Sequence, residues 1–441
     1  MQRSVENKVM ASGRAAFHNL GCKVNSYETE VMEQLMSDAG YEIVDFSEKA
    51  DVYVINTCTV TNIADAKSRQ MIHRARKQNP EAIIVAAGCY VQIAPEGASK
   101  GDGADILIGN NHKNELVKRI EEFRKGRERQ LVVTDIAAEE SFESMRLSKT
   151  REHTRAFVKI QDGCDNFCSY CLIPYARGRV RSRKSGEVLD EIRSLAANGT
   201  KEVVLTGIHV SSFGKDTGET LIGLMREIDA VSGIERLRLS SLEPRIITEE
   251  FVTGLAGLRT FCPHFHLSLQ SGCDKVLSDM NRHYTTAEYM EKCELIRRYF
   301  EHPAMTTDVI VGFPGETGEE FETTYGFVRD VGFYELHVFK FSPRRGTKAE
   351  RLPGQLTNAE KSSRSSRLIE LGDAMSQEFA GYYEGREVEV LAEESCELDG
   401  ERFMRGFTRE YVRAYLPDNV PANSVYRGKV VKTVLNEIYV V

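Results

Sequence analysis

The stretch Gly163-Cys164-Asp165-Asn166-Phe167-Cys168-Ser169-Tyr170-Cys171 carries three cysteines in the spacing C-x3-C-x2-C. It directly follows an apolar run, Phe157–Gln161, typical of a buried strand. Three thiolates from one tight loop bind three irons of a [4Fe–4S] cluster and leave the fourth iron open. An open iron can bind S-adenosylmethionine, which an electron from the cluster can split. A structural zinc site usually needs four ligands in paired spacing, so this loop trio (Cys164, Cys168 and Cys171) predicts an open iron–sulfur cluster.

The loop trio opens a region in which apolar strands alternate with amphipathic helices. Six β/α units are too few for a closed eight-stranded barrel, and they predict a partial (β/α)6 barrel. A polar helix from about Asn358 to Tyr383 follows, so the predicted domain covers residues 155–383. The six predicted strands are Phe157–Gln161, Glu202–Leu205, Arg236–Ser240, Phe265–Leu269, Met305–Val311 and Glu335–Phe341.

Residues 14–126 also alternate short apolar runs with helical segments, which predicts a flavodoxin-like open parallel sheet of five strands. Cys22, Cys58 and Cys89 each stand just past the end of one predicted strand. Because the carboxyl ends of parallel strands meet in one crevice, we expect this strand-end trio (Cys22, Cys58 and Cys89) to converge and hold a second cluster. The structural alternative is three small buried residues. The charged stretch 127–154 is predicted to contain a linker.

The tail, residues 384–441, has five short β-branched runs separated in part by turn signals such as Asp399-Gly400. This pattern predicts a small antiparallel β-barrel of OB-like size. From Ala380 onward the tail has eight Lys and Arg against eleven Asp and Glu, so charge alone does not indicate RNA binding. Basic and aromatic residues are nevertheless interleaved and predict a local stacking and phosphate-binding face: Arg402, Phe403, Arg405, Phe407, Arg409, Tyr411, Arg413 and Tyr415.

Composition narrows the possible classes of protein. At about 150 residues per domain, 441 residues predict three domains. Hydrophobic residues make up 41% and charged residues 28%, which is ordinary for a globular chain and excludes general disorder. The net charge of −8 excludes a basic coat, so any site for a polyanion must be local. No apolar stretch is long enough for a bilayer, and Met1–Arg14 shows no secretory signal, so we expect a cytoplasmic protein with no membrane partner.

These motifs together resemble the radical S-adenosylmethionine (radical SAM) methylthiotransferases, most closely the tRNA branch that acts on N6-threonylcarbamoyladenosine (t6A). The resemblance implies that the central region is a radical SAM barrel and that the tail is a TRAM RNA-binding module. It rests on four segments: His18-Asn19-Leu20-Gly21-Cys22-Lys23-Val24-Asn25, Val54-Ile55-Asn56-Thr57-Cys58-Thr59-Val60, Ala87-Gly88-Cys89, and the radical loop continued through Leu172-Ile173-Pro174-Tyr175-Ala176-Arg177-Gly178.

The resemblance implies an enzyme with two [4Fe–4S] clusters. The loop trio would bind S-adenosylmethionine through its cluster and make a radical, and the strand-end trio would hold the cluster that delivers sulfur. One S-adenosylmethionine would supply the methyl group, and a second would remove the hydrogen at C2 of the adenine at position 37 of the anticodon loop. The implied partners are tRNA and an electron donor such as a flavodoxin or a ferredoxin. The sequence does not identify the sulfur source.

The resemblance also implies a set of S-adenosylmethionine contacts. Tyr170 lies in the radical loop, and Gly207 ends the second barrel strand, where an amino-group contact is expected. Ser240 and Glu243 follow the third strand, in a segment that resembles the one binding ribose or carboxylate. Gly312 follows the fifth strand, in a segment that resembles the one contacting adenine. An ordinary strand-to-loop turn is the alternative for each glycine.

A basic run follows the radical loop in this acidic chain. Arginines bind phosphate in a bidentate manner, so we expect the run to place an RNA backbone near the active site. A solvated loop with acidic partners is the alternative. His264 and His266, which flank a position of the fourth predicted strand, are interpreted as packed or hydrogen-bonded residues rather than ligands. The members of the run are Arg177, Arg179, Arg181, Arg183 and Lys184.

Three other functions stay open on the residues alone. The same chemistry could act on isopentenyladenosine in tRNA or on an aspartate of a ribosomal protein. A different class of protein, a non-catalytic iron–sulfur carrier that binds RNA, is disfavoured because a carrier has no use for an open iron.

Overall fold

A computed structural model describes residues 13–101, 103–150 and 154–441, which form two compact units. The N-terminal unit contains the described residues up to Leu147 together with Asp162–Asp165 and Cys171–Arg181. The C-terminal unit contains Asn166–Tyr170 and Ser182–Val441 together with the described part of 148–161. No helix in the described ranges is long and apolar enough to cross a membrane. Most of the stretch predicted to lack a secretory signal lies outside the described residues.

The N-terminal unit contains the predicted open parallel sheet, with strand order β2-β1-β3-β4-β5-β6 and every neighbouring pair parallel. The two central strands are buried along their whole length, as the hydrophobic runs of inner parallel strands require. The strands are β1 (Gly13–Asn19), β2 (Tyr41–Val44), β3 (Val52–Thr57), β4 (Ile83–Gly88), β5 (Ile106–Ile108) and β6 (Gln130–Val132).

Helices follow the strands of this sheet. The α2 helix begins after Thr61, whose side chain accepts a hydrogen bond from the Ala64 N–H and so satisfies one free donor of the first turn. A core cluster that includes Ile55, Ile84 and Leu107 packs in this unit. The helices are α1 (Lys23–Asp38), α2 (Asn62–Gln78), α3 (Cys89–Ile93), α4 (Pro95–Ser99), α5 (Leu116–Gly126) and α6 (Ile173–Arg177).

The sheet is one strand larger than the sequence predicts. Strand β6 pairs in parallel with β5, so the sheet extends into the stretch 127–154, for which the sequence predicts a linker. Its middle residue Leu131 is exposed, and this weak apolar signal at a sheet edge explains why the pattern does not indicate a strand. Residues 151–153 of the predicted linker lie outside the described residues.

The C-terminal unit contains the predicted partial barrel. One sheet has the order β10-β9-β7-β8 and the next has the order β11-β12-β13, and isolated parallel bridges at Leu237–Phe261 and Leu242–Leu267 join β10 to the β11 region. Apart from the two-residue β8, six parallel strands thus follow one another around the curve, as expected from six β/α units. The strands are β7 (Arg155–Asp162), β8 (Arg181–Ser182), β9 (Glu202–Gly207), β10 (Arg236–Leu239), β11 (His264–His266), β12 (Ala304–Val311) and β13 (Glu335–Lys340).

Helices cover one face of this curved sheet. Three of them begin with a capping box, in which a threonine and a glutamate satisfy each other's backbone N–H groups: Thr285 with Glu288, Thr317 with Glu320, and Thr357 with Glu360. The helices are α7 (Ser185–Ala197), α8 (Leu221–Asp229), α9 (Glu249–Ala256), α10 (Asp274–Asp279), α11 (Thr286–Tyr299), α12 (Gly318–Val331) and α13 (Asn358–Gly381).

The tail forms the predicted small barrel, closed in the order β14-β15-β16-β18-β17. All its pairs are antiparallel except that of β16 with β18. Alternating residues such as Val390, Ala414 and Ile438 fill its interior. The strands are β14 (Glu387–Leu398), β15 (Glu401–Thr408), β16 (Arg413–Pro417), β17 (Val425–Val434) and β18 (Glu437–Val440).

Candidate functional site

The strand-end trio lies together at one edge of the N-terminal sheet. Cys22 directly precedes α1, Cys58 directly follows β3, and Cys89 is the first residue of α3 after β4. Burial raises the pKa of the Cys58 thiol to about 11, and the neighbouring thiols of Cys89 and Cys22 contribute to that rise. The three thiols are therefore within electrostatic reach of one another, as the topology predicts.

Two glycines let the chain approach this trio. Gly21 has a φ of +118°, and a Cβ atom there would lie 3.2 Å from the Cys58 sulfur. Gly88 has a φ of +100°, and a Cβ atom there would lie 2.7 Å from the Thr57 carbonyl oxygen. Any larger residue at either position would combine an unfavourable backbone conformation with a collision beside a cysteine.

A buried arginine lies beside the strand-end trio. Arg177 is 0% exposed, and its Nη1 lies 2.8 Å from Glu28 Oε1, while its Nη2 donates to Asn25 Oδ1 at 2.7 Å. Asn25 in turn donates to the carbonyls of Leu20 and Thr57, which flank two of the cysteines. Although burial opposes the charge, Cys89 and Glu28 raise the pKa of Arg177 well above its usual value. The sequence motif gives no hint that this arginine is anchored in the N-terminal unit.

The basic run is mostly an internal structural feature. Arg177, Arg181 and Arg183 are at most 4% exposed, so we do not retain them as RNA contacts. Arg181 donates to the Arg177 carbonyl at 3.0 Å, and Arg183 forms an ion pair with the buried Glu191. Buried carboxylates, which the local sequence does not reveal, neutralise these groups. Arg179 and Lys184 remain exposed.

Two cysteines of the loop trio, Cys164 and Cys171, belong to the N-terminal unit. The Cys164 N–H donates to the Gly178 carbonyl at 3.1 Å, and the Ile173 N–H lies 3.4 Å from the Cys171 sulfur, to which it donates. Gly163 has a φ of +71°, and a Cβ atom there would overlap the Arg179 carbonyl oxygen. The bend at Gly163 that starts the loop is therefore restricted to glycine.

The third cysteine of the loop trio, Cys168, has its contacts in the C-terminal unit. Arg282 Nη1 donates to the Cys168 sulfur at 3.3 Å. Asn281, at a φ of +59°, donates through its side chain to the carbonyls of Asn166 and Phe167 at 3.2 Å. The segment after α10 thus supports the loop, a role that no local pattern indicates.

Glu243, one of the predicted S-adenosylmethionine contacts, is 4% exposed and lies in a polar cluster. Although burial opposes ionisation, the hydrogen bond and charge of His209, with Arg282 and Arg245, lower the pKa of Glu243 to about 2. Asn166 also donates to Glu243 Oε1 at 3.2 Å. Arg282 therefore links Cys168 to an ionised carboxylate, since its Nη2 lies 3.7 Å from Glu243 Oε1.

The other predicted S-adenosylmethionine contacts lie in the same unit. Ser240 is 5% exposed, and its hydroxyl has no hydrogen-bond partner among the described residues. Gly207 lies against Gln161, whose side chain accepts the His209 N–H. Tyr170 packs on a small apolar cluster. Gly312 has a φ of +71°, and its N–H donates to Glu316 Oε2 at 2.6 Å.

The residues around the loop trio fit the iron–sulfur cluster and the S-adenosylmethionine that the sequence implies. N–H donors directed at cysteine sulfurs stabilise thiolates and tune cluster potentials, and Cys168 and Cys171 each have one. A buried hydroxyl without a partner, as at Ser240, is costly unless a ligand satisfies it. Four other cysteines are predicted to be core or neutral residues; three of them, Cys262, Cys273 and Cys293, are buried, and Cys396 is half-buried.

Three of the eight residues of the face predicted on the tail, Phe407, Arg409 and Tyr411, lie against the partial barrel. The Tyr411 ring stacks on His264 at 5.0 Å, the Arg155 guanidinium lies 4.9 Å from the Phe407 ring centre, and Arg409 donates to the Phe261 carbonyl. These groups attach the small barrel to the large one. A second aromatic group lies elsewhere on the tail, where the Phe403 and Tyr415 rings both contact Tyr439. The exposed Arg402 directly precedes Phe403 in the sequence.

Comparison with known proteins agrees with this architecture. Residues 14–109 match the uncharacterized protein family UPF0004, and residues 158–328 match the radical SAM superfamily. The chain is 42% identical to the threonylcarbamoyladenosine tRNA methylthiotransferase MtaB of Bacillus subtilis, over 90% of this chain and 89% of that protein. It is 38% identical to a tRNA-2-methylthio-N(6)-dimethylallyladenosine synthase of Moorella thermoacetica, over 88% and 89%.

Among solved structures, the fold is similar to that of the radical S-adenosylmethionine methyltransferase TsrM from Kitasatospora setae. The TM-score is 0.57 at 17% sequence identity, over 74% of this chain and 73% of that chain. At this identity the likeness concerns the fold alone.

Proposed function

The chain belongs to the radical S-adenosylmethionine methylthiotransferase family, and from that premise we propose that it methylthiolates C2 of the adenine of N6-threonylcarbamoyladenosine at position 37 of tRNA. The observation that carries the proposal is the 42% identity, along 90% of the chain, to a relative named for this substrate. A second such relative, from Aquifex aeolicus, is 40% identical over 89% of the chain. The relative named for dimethylallyladenosine is 38% identical, so the choice of substrate needs a direct test.

The two cysteine trios are the proposed ligands of two [4Fe–4S] clusters, the loop trio for the one that binds S-adenosylmethionine and the strand-end trio for the second. When bound, these groups would supply radical hydrogen abstraction at C2 together with the sulfur and the methyl group that replace the hydrogen. A flavodoxin or a ferredoxin is the proposed electron donor.

The protein's own residues would hold and tune these groups. Arg282 donates to Cys168 and keeps positive charge beside it, while Glu243 stays ionised and can accept a hydrogen bond from an ammonium or a ribose hydroxyl. The free Ser240 hydroxyl is a second group for the same ligand, with the backbone at Gly207 and Gly312 and the ring of Tyr170 as the remaining contacts. Arg177 would offset the negative charge of thiolates in the strand-end trio.

The proposed RNA contacts in the basic run are Arg179 and Lys184. Arg179 Nη1 lies 3.5 Å from Asp165 at an exposed position, and an exposed pair of this kind costs little to separate. Each lost phosphate contact should reduce the slope of log affinity against log salt by about 0.7, the value for single strands. Binding of tRNA to the double variant Arg179→Ala/Lys184→Ala, measured over a range of salt, tests this assignment, and Arg193→Ala on α7 is the exposed control.

The test of the function is anaerobic reconstitution with iron and sulfide, followed by reaction with S-adenosylmethionine and dithionite on two tRNAs. One carries threonylcarbamoyladenosine and the other carries isopentenyladenosine. We expect 2-methylthio-N6-threonylcarbamoyladenosine from the first and no product from the second, measured by nucleoside mass spectrometry. Product only from the second tRNA, or modification of a ribosomal protein instead, would assign the chain to another branch. Absence of deoxyadenosine from fully reconstituted protein would favour a non-catalytic carrier.

A further inference from the structure

Three metal-ligating side chains outside the cysteine trios meet on the curved sheet of the C-terminal unit. His266 ends β11, Asp308 lies on β12, and His337 lies on β13. One ligand atom from each lies within 4.8 Å of the other two, and His266 Nε2 is 3.3 Å from Asp308 Oδ2. We propose that these three residues form a binding site for a divalent transition-metal ion of the Zn²⁺ or Fe²⁺ class.

The strand register explains how distant residues meet. On the parallel ladders, His266 pairs with Thr306, and Asp308 pairs with His337. Asp308 is two residues beyond Thr306, so the three side chains project from the same face of three adjacent strands. A rigid sheet therefore positions the ligands, as a metal site requires.

The distance between His266 and Asp308 matches a shared ion, and the ligand atoms of all three residues lie within 4.8 Å of one another. Ligand atoms about 2.0–2.2 Å from a metal ion are separated by about 3.0–3.5 Å at octahedral to tetrahedral angles, and the His266–Asp308 distance lies in this range. Two imidazoles and one carboxylate are the ligand set of the facial triad, which suits Fe²⁺ and leaves positions open. A simple ion pair explains His266 and Asp308 but not the second imidazole, whose ring centre lies 5.6 Å from that of His266.

A supporting hydrogen bond orients the first histidine. His266 Nδ1 lies 2.9 Å from Thr306 Oγ1, so the ring is held with Nε2 toward Asp308. Histidines that bind metals nearly always have such a partner on the second ring nitrogen, and its loss costs about 10- to 100-fold in affinity.

The face that carries the three residues is opposite the helices. Leu336, the neighbour of His337 in sequence, packs on Gly372 of α13 and so points to the helical layer, which places His337 and the two residues that share its face on the opposite side. The proposed site therefore faces the interior of the partial barrel, where Asp308 and His337 keep partial exposure. An ion held there would keep open coordination positions, which an oxygen atom of the substrate could fill. The carboxylate of the threonylcarbamoyl group is a suitable oxygen ligand. This last step rests on the proposed function.

Zinc binding tests the site without using activity. Holoenzyme with both clusters is dialysed to equilibrium against Zn²⁺ under anaerobic conditions, and zinc and iron are measured separately by mass spectrometry. We expect one zinc per chain above the level of His266→Ala/His337→Ala at equal iron content. In Thr306→Val, zinc binding should be at least tenfold weaker. His73→Ala, at an exposed histidine on α2, is the matched control and should retain the zinc. Equal zinc in wild type and double variant would overturn the proposal.

Two further measurements distinguish a failure of the metal site from misfolding of the double variant and from a failure of the proposed function. If the double variant does not fold, the single conservative change His337→Gln, at a partly exposed residue, should weaken zinc binding at least tenfold, and no change would overturn the site. For the substrate contact, the same variant should raise the KM for tRNA carrying threonylcarbamoyladenosine at least tenfold. If His337→Gln loses zinc but keeps the wild-type KM, the proposed contact between the ion and the substrate is wrong and the metal site itself stands. Failure of the wild type to modify this tRNA would overturn the proposed function, and the zinc result would stand.

Discussion

The loop trio and the strand-end trio differ in how the chain builds them. The loop trio comes from one segment, 164–171, and depends on a local bend at Gly163. The strand-end trio comes from three separate strand ends between residues 22 and 89, and it exists only once the parallel sheet has formed. A site made within one loop is a property of a short sequence, whereas a site made at a sheet edge is a property of the fold. Changes at the two sites should therefore fail in different ways.

The largest expected effect separates the two trios by chemistry. In Cys168→Ala, both deoxyadenosine and methylthiolated nucleoside should disappear, because the cluster proposed to bind S-adenosylmethionine would lose a ligand. In Cys58→Ala, deoxyadenosine should still form while the methylthiolated product disappears. Both products are measured by mass spectrometry in the same reaction, with Cys396→Ala in the tail as control. Loss of deoxyadenosine from Cys58→Ala at unchanged iron in the loop cluster would contradict two separate roles.

A smaller effect is expected when only the backbone beside each trio is disturbed. Gly163→Ala places a methyl group on top of a backbone carbonyl oxygen that cannot move freely, so we expect loss of the loop iron and of deoxyadenosine. Gly21→Ala meets the Cys58 side chain at 3.1–3.2 Å and also places an alanine at a φ of +118°, so methylthiolation should fall while deoxyadenosine formation continues. Iron content and both products are measured for each variant.

Gly186 provides the control for both glycine variants. It lies in α7, and a methyl group added there would meet no other described residue within 4 Å, so alanine should be accepted without loss of iron or activity. Equal loss of deoxyadenosine in Gly21→Ala and Gly163→Ala would mean that the two trios are not independent.

The same contrast explains what sequence can and cannot predict. The predictions of alternating strands and helices, of the partial barrel and of the small closed barrel are confirmed, because each follows from local periodicity. Both cysteine trios are predicted from motif or strand order, and their role as cluster ligands stays a prediction. The interpretation of the basic run is wrong in part, because Arg177 and Arg183 are neutralised by Glu28 and Glu191, and only the folded chain shows those contacts.

Other site residues carry no local signal at all. Arg282 reaches Cys168 from more than a hundred residues away, and nothing in its own surroundings indicates that contact. The sequence indicates only a packed residue at His266, since its partners Asp308 and His337 lie on later strands. Contacts of this kind depend on the register of parallel strands, which a single sequence does not state.

The buried arginine beside the strand-end trio gives a third test. Arg177→Met leaves Glu28 and Asp162 without a cation that both contact, although Lys113 still pairs with Glu28 at 2.8 Å. Removing one partner from a buried ion-pair network typically costs about 3–5 kcal/mol. We expect hydrogen exchange of β3 and β4 to report a loss of this size, while exchange in the tail barrel is unchanged. Arg179→Met, at an exposed arginine in the same segment, should stay within about 0.5 kcal/mol of wild type.

The smallest expected effect concerns the carboxylate near Cys168. The pKa of Glu243 is about 2 in the folded chain and 4.5 in the unfolded chain. Because the folded pKa is the lower one, the stabilisation is complete above about pH 4.5 and is lost as the pH falls toward 2. At 1.36 kcal/mol per unit the full contribution is about 3 kcal/mol, of which about 2 kcal/mol should be lost between pH 6 and pH 3. Glu243→Gln should show no such loss. The free energy of unfolding is measured for cluster-free wild type and variant, and the difference between the two should shrink as the pH falls over this range. A constant difference would mean that His209 and Arg282 do not hold Glu243 ionised. The support of Cys168 and its neighbours would then rest on Asn281 and on the hydrogen bond from Arg282 to Cys168.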